Sequence, residues 1–283
     1  MASQQFDLNV KFTTPSVYQN FPLAVFSMHG DESVDFLQRI TTNDFSAFKK
    51  HSIQKTLLVN EKGRVIDAIW VVHRESDLEI LCSKSIKKDV IAWLSKYIIM
   101  EDIELKDDAS MSSVDIYFDD EGETDYFGSP CFFVLNQELR PGYTKITSNK
   151  FEQFRIQNGI PVIHKELSTD YNPLELNLWD WISFSKGCYI GQEVIARIDT
   201  YQKIQKMLCL ICSEETVHEN DILCDGEMTP IGKITSLTID DSNSLIGLAM
   251  VKQKYLSGTS KLYVQNSTAS VTIKNIFSKE VHA

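Results

Sequence analysis

One thiol is set apart by its neighbours. In Lys186-Gly187-Cys188-Tyr189-Ile190-Gly191-Gln192-Glu193, a cysteine lies between two glycines, with a lysine before it and a glutamine and a glutamate after. Glycine removes side-chain bulk and opens φ > 0, so a backbone of this composition can turn sharply and approach a ligand or partner closely. A thiol held in such a turn is reachable from solvent, and its chemistry follows its thiolate content. Lys186 and a helix beginning near Gly191 both favour the thiolate. Cys188 is therefore the candidate functional thiol. The competing reading is a small apolar filler, the commoner fate of a free cysteine.

The other cysteines invite a decoy. Cys209, Cys212, His218 and Cys224 spell C-x2-C-x5-H-x5-C, close to a zinc knuckle. Met207 to Cys212 reads as a strand, however, and residues i and i+3 of a strand face opposite sides. Metal ligands must converge on one point. The expectation is core thiols in a strand and no metal site. Arg197, Lys203 and Lys206 form a small basic cluster after the cysteine motif, whose ordinary reading is a solvated face.

These residues need elements to place them. Gly30-Asp31-Glu32-Ser33 leads into a helical pattern with Val34, Leu37 and Ile40 on one face, and Asp31 is its expected cap. Ser52 to Val59, a turn at Asn60-Glu61-Lys62-Gly63, and Arg64 to Val72 read as a hairpin. A strand at Leu78 to Cys82 precedes an amphipathic helix from Ser85 to Tyr97. Strands follow at Ile103 to Leu105, Val114 to Phe118 and Cys131 to Leu135. Phe151 to Gln157 is a short helix stopped by Asn158-Gly159. After residue 200, short β-runs recur at Met207 to Cys212, Ile231 to Ile239, Leu245 to Val251, Lys261 to Val264 and Val271 to Ile276. Turn residues such as Asp225-Gly226, Asp240-Asp241-Ser242-Asn243 and Ser257-Gly258 separate them, the pattern of a small antiparallel barrel or sandwich. The expected division is an α+β region over 1–200 and an all-β domain over 201–283.

At this point the chain resembles the YgfZ-type folate-binding proteins, relatives of the glycine-cleavage T-protein associated with iron–sulfur cluster assembly and repair. The resemblance rests on Gly30-Asp31, Thr42-Asn43-Asp44, Leu57 to Arg64, Arg155 with Gly159-Ile160-Pro161, Pro173-Leu174-Glu175, Lys186 to Glu193 with Ala196-Arg197, and Gly232 to Ser236. It implies an α+β fold, with a T-protein-like body, a C-terminal antiparallel β-barrel and a folate-sized opening. It implies tetrahydrofolate or a related folate as cofactor, and iron–sulfur assembly or client proteins as partners. Glu175 then takes the paired donor edge of the pterin, a charge-assisted contact of the strong kind; outside the resemblance it reads as an exposed first-turn carboxylate. Asp67 is the second folate-side carboxylate. T-proteins carry two consecutive aspartates here, and this chain has Ala68 second, which puts aminomethyl transfer in doubt because a proton-moving group must stand within hydrogen-bond reach. Arg197 and Lys203 or Lys206 are candidates for the glutamate tail of folate. The expected function is a folate-binding factor supporting iron–sulfur enzymes; the alternatives are a folate-dependent one-carbon transferase and a scaffold that no longer binds folate.

Composition fits that picture. Hydrophobic residues at 43% and charged residues at 24% describe a globular chain, and the net charge of −11 argues against a broad nucleic-acid surface. No apolar run approaches the ~18 residues of a membrane span. With no secretory pattern in the first residues and six cysteines best read as thiols, the expected compartment is the cytoplasm.

Overall fold

The computed structural model describes residues 10–107, 113–135, 139–256 and 261–279. The N-terminal residues and the Ser257-Gly258 turn lie outside them. The chain begins with two strands, β1 (Ser16–Phe21) and β2 (Leu23–His29), followed by α1 (Ser33–Ile40). The hairpin forms as β3 (Ile53–Val59) and β4 (Val65–His73), then β5 (Asp77–Ser83), α2 (Lys87–Tyr97) and β6 (Glu104–Lys106). β7 (Val114–Phe118), β8 (Thr124–Tyr126), β9 (Ser129–Leu135) and β10 (Thr144–Lys145) lead to α3 (Ser148–Gln157). A long irregular stretch then reaches α4 (Gln192–Thr200).

These strands make two five-stranded sheets, ordered β10-β1-β7-β9-β8 and β3-β4-β5-β2-β6. The last six strands, β11 (Lys206–Ser213), β12 (Ile222–Cys224), β13 (Pro230–Ile239), β14 (Leu245–Lys252), β15 (Lys261–Val264) and β16 (Ser270–Ile276), close into an antiparallel barrel. The fold is therefore α+β, a mixed body followed by a C-terminal β-barrel. Among the described residues no helix is long and apolar enough to cross a membrane.

The body and barrel share a core. Leu208, Leu210, Ile246, Leu248 and Met250 on the barrel pack into the same buried cluster as Trp70, Phe151, Phe154 and Trp181. A polar clasp reinforces the joint: fully buried Arg155 donates from Nη2 to Ser236 Oγ at 2.9 Å, and Ser236 Oγ donates to Glu166 Oε1 at 2.7 Å. Each member of this buried network has a partner, which is the condition for tolerating it. Cys209 and Cys212 fall on opposite sides of β11, Cys209 inside the barrel cluster and Cys212 against the body cluster.

Two local expectations change. Glu32, not Asp31, is the residue before α1, and its side chain makes no capping bond. α3 begins three residues before Phe151, because Thr147 Oγ1 accepts from Lys150 N and caps the first turn.

Candidate functional site

The cysteine loop is pinned at both ends and open between. Upstream, Lys186 is buried, and its ammonium donates to Thr41 O at 2.9 Å and Asn43 O at 2.5 Å. The same segment is stitched on by Ser183 N to Thr42 O at 3.0 Å and by Thr42 Oγ1, which donates to Trp181 O at 2.6 Å. Downstream, Gly191 adopts φ +78° against the hairpin turn, where a Cβ would lie 2.6 Å from Asn60 O and 3.1 Å from Gly63 Cα. Gly63, itself at φ +65°, packs against Ile195 of α4. Both positions therefore require glycine, for conformation and for clearance. Between these anchors Cys188 is exposed, and a Cβ on Gly187 would meet nothing within 4 Å. Tyr189 is buried beside it, and burial raises its phenol to about 12.

Lys186 does a different job from the one its position suggests. Its two carbonyl partners and the Tyr189 ring, 5.3 Å from Nζ, hold it in the body wall as an anchor of the loop. Burial lowers its pKa to about 8, opposed by the nearby Asp44 carboxylate. Gln192 Nε2 reaches the carbonyls of Lys186 and Gly187 only at 3.5 Å, while Glu193 is exposed.

Glu175 is buried in an irregular turn, which overturns the picture of an exposed helical carboxylate. Asn172 Oδ1 accepts the N–H groups of Leu174 and Glu175 and shapes the turn. Glu175 Oε1 accepts Lys206 N at 3.2 Å, and Oε2 accepts Asn172 N at 3.1 Å and Arg64 Nη1 at 3.4 Å. One carboxylate thus ties the start of the barrel, the turn and the hairpin together. Arg64 was not among the residues expected at the site; its pairing with Glu175, 111 residues away, closes only in three dimensions.

Asp67 lies inside the sheet. It is fully buried, with Oδ1 accepting Ala68 N at 2.9 Å and Ser83 Oγ at 2.7 Å, and Oδ2 accepting Ser83 N at 2.8 Å. A one-residue bulge at Ile66 is the reason: Leu58 pairs with Asp67 while Val59 pairs with Val65. The extra residue reverses which side of the sheet the following residues face. Ala68, Trp70 and Val72 then join the cluster between the sheets, while Ile69 and Val71 pack with the helices α1 and α2. Desolvation raises the Asp67 carboxyl to about 6, against the pull of its hydrogen bonds. Asp67 is a sheet-internal carboxylate whose two oxygens are both engaged within the sheet.

Of the basic cluster, Lys206 approaches the Glu175 turn through its backbone, with its ammonium 4.9 Å from the Tyr171 ring centroid. Lys203 is exposed and lies 5.4 Å over Tyr201, and Arg197 is exposed on α4. A cavity of about 260 Å³ opens between the two sheets, lined by Ile53, Val72, Leu81, Phe132, Phe133 and Leu135 with Arg74, Glu79, His51 and Glu123 at its polar edge. It contains none of the residues singled out from sequence. Val72 and Leu81 place it on the same sheet face as Ala68, toward the end of the hairpin away from Asn60 and Glu175.

Two sheets and a closed barrel sharing one core define the architecture of an aminomethyltransferase. The glycine cleavage system aminomethyltransferase T from Bartonella henselae superposes with a TM-score of 0.77, covering 93% of this chain and 86% of that one at 11% identity. Residues 17–116 match the GCVT N-terminal domain. A putative chloroplastic transferase of Arabidopsis thaliana is 30% identical over 81% of this chain, and the chain spans 63% of that protein's length. The tRNA-modifying protein YgfZ of Buchnera aphidicola is 25% identical, with 88% of this chain and 86% of that protein covered. The chain thus has the fold of an aminomethyltransferase T and is similar in sequence to a plant transferase and to YgfZ proteins.

Proposed function

We propose that this protein binds a folate, in the manner of its family, and uses Cys188 to support the assembly or repair of iron–sulfur cluster enzymes. The observation that carries the reading is the cysteine loop: an exposed thiol held by a buried lysine on one side and a glycine–glycine contact on the other. Such a design presents sulfur to a partner without burying it. Thiolates are soft ligands suited to iron–sulfur clusters. One thiol leaves a cluster short of ligands, so the partner protein or a small thiol supplies the rest.

Tetrahydrofolate or a related folate finds two acceptor sites on Glu175 after one adjustment. An ionised carboxylate offers about four acceptor sites. The backbone N–H groups of Asn172 and Lys206 occupy one on each oxygen, and Arg64 takes a further one at the longest distance, 3.4 Å. A two-donor pterin edge takes the remaining site on Oε1 and replaces Arg64 on Oε2, leaving Arg64 with the Asp170 carbonyl it already holds at 3.0 Å. Arg197 and Lys203 are the exposed cations available for the glutamate tail. Asp67 is left out, since its oxygens are engaged within the sheet. Ala68 faces the space between the sheets where a second aspartate would stand, so a one-carbon transferase has lost that proton-handling group.

The reading carries a division at residue 200, with the cytoplasm as compartment. The Buchnera relative is named for tRNA modification; with a net charge of −11, this chain suits a client enzyme that acts on tRNA better than a hold on tRNA itself.

The test combines a cell and a titration. In a cell lacking this protein, Cys188→Ser is expected to leave iron–sulfur enzyme activity at the deletion level while the purified variant keeps the parent's thermal midpoint and folate affinity. Full rescue by Cys188→Ser overturns the thiol assignment. Tetrahydrofolate titrated by calorimetry should bind the parent, and Glu175→Gln about tenfold more weakly, from one lost charge-assisted contact. Failure of the parent to bind any folate leaves the scaffold reading. Formation of methylene-tetrahydrofolate from an aminomethyl donor at catalytic rates establishes the transferase instead.

A further inference from the structure

The loop after α2 displays side chains that folding ordinarily covers. Ile99 is 83% exposed and Met100 is 93% exposed, side by side. Isolated exposed apolar residues are common, but this pair is fixed by dedicated hydrogen bonds. Glu101 Oε2 accepts the N–H groups of Ile99 at 2.9 Å and Met100 at 3.1 Å. Its other oxygen accepts Arg39 Nη2 at 3.0 Å, which ties the tip to α1. Asp102 N donates to Glu32 Oε2 at 2.8 Å, and a Cβ on Gly30 would lie 1.9 Å from Asp102 O. The loop is thus locked onto the entry of α1. Its backbone N–H bonds, with Arg39, hold the Glu101 carboxyl down to about 2, so the clamp stays ionised at any cellular pH.

A preformed tip gives up little conformational freedom when it binds. Methionine adapts its shape to an irregular recess, and isoleucine supplies a rigid apolar face. The setting is acidic. Residues 31–39 and 99–106 hold six carboxylates against two cations, Arg39 and Lys106. Arg39 is paired with Asp35 and Glu101, and Lys106 with Glu104. Such a rim repels phosphate-bearing surfaces, whether lipid headgroups or nucleic acid, and steers toward a surface rich in lysine or arginine.

We propose that Ile99 and Met100 form a docking knob for a partner protein whose apolar recess is rimmed by basic side chains. The knob is independent of the folate and of Cys188, so its test stands apart from theirs. A photo-crosslinking amino acid replaces Met100 in the full chain in its source cell, with the same substitution at Met228, 47% exposed on the barrel, as control. A protein captured at position 100 and absent at position 228 is identified, purified and titrated. The Ile99→Ser/Met100→Ser variant is expected to bind it at least about tenfold more weakly than the parent, as for loss of an interface anchor. Asp31→Asn/Asp102→Asn is expected to slow association several-fold and flatten its salt dependence. Both variants should keep the parent's near-ultraviolet dichroism, since the altered side chains face solvent. Four results overturn the proposal. They are no position-specific adduct, an adduct partner that binds the double-serine variant as tightly as the parent, an adduct that is a second copy of this chain, and binding of phosphatidylglycerol vesicles that the double-serine substitution abolishes.

Discussion

Cys188 and Glu175 stand thirteen residues apart in one irregular stretch, yet one side chain is exposed and the other is 3% accessible. The cysteine is placed by what surrounds its backbone: Lys186 in two carbonyls, Gly191 against Asn60 and Gly63. The carboxylate is placed by what touches its own oxygens. A site built the first way keeps its stability when its centre is changed and loses it when its edges are. A site built the second way fails at its centre. Glu175 and Asp67, both buried carboxylates, also differ, because Glu175 has a loosely held partner in Arg64 while Asp67 has only short bonds within the sheet.

The largest expected effect is therefore at Glu175. Glu175→Ala removes the acceptor for two backbone N–H groups, those of Asn172 and Lys206, and leaves both short of a partner. At about 1–3 kcal/mol for each unpaired buried group, the loss of stability is about 4 kcal/mol, read by urea denaturation. A loss below about 1 kcal/mol would mean that solvent reaches this turn readily, and the contrast with Cys188 would dissolve.

Asp67 gives the next effect, through pH. Its folded pKa of about 6 lies above the ordinary aspartate value of 3.8, so the folded chain binds its proton more tightly than the unfolded chain. Its contribution is fully present below the unfolded value and is lost as pH rises through 6. With ~1.36 kcal/mol per unit, that is about 3 kcal/mol across the window from 4 to 6. The difference in unfolding free energy between the parent and Asp67→Asn should follow this curve. A difference independent of pH would show Asp67 ionised throughout and its desolvation relieved by Ser83.

What was legible in the sequence divides along the same line. The glycines of the motif announce a special backbone by residue type alone, and the barrel strands other than β12 announce themselves as short β-rich runs between turn residues. β2 has no such punctuation: Pro22 alone separates Leu23–His29 from β1, with no cluster of turn residues between the two strands. β8, β10 and β12 span only two or three residues each and exist through their partners. The Ile66 bulge is equally silent, and it decides that Ala68 instead of Asp67 faces the space between the sheets. Besides the local N–H groups of Asn172 and Ala68, the partners of the two carboxylates are Ser83, Arg64 and Lys206, each distant in sequence from the carboxylate it meets. A local reading names such residues and leaves their exposure open.

The smallest effects lie within the motif, between its two glycines. Gly191→Ala places a Cβ 2.6 Å from Asn60 O at φ +78°, so backbone strain and collision add. Left-handed backbone costs a non-glycine residue ~1–2 kcal/mol, and the collision brings the expected loss to about 2 kcal/mol or more in thermal or urea unfolding. Gly187→Ala meets open space, and its expected change lies within about 0.5 kcal/mol of the parent. Function should rank them differently from stability. On the role proposed for Cys188, a methyl beside it stands in the partner's way to the sulfur, so Gly187→Ala is expected to lower rescue of iron–sulfur enzymes while leaving the unfolding curve in place. Equal stability losses from the two alanines would show that the loop is braced along its whole length and is not open at its centre. Full rescue by Gly187→Ala would mean that the partner reaches the thiol from another side.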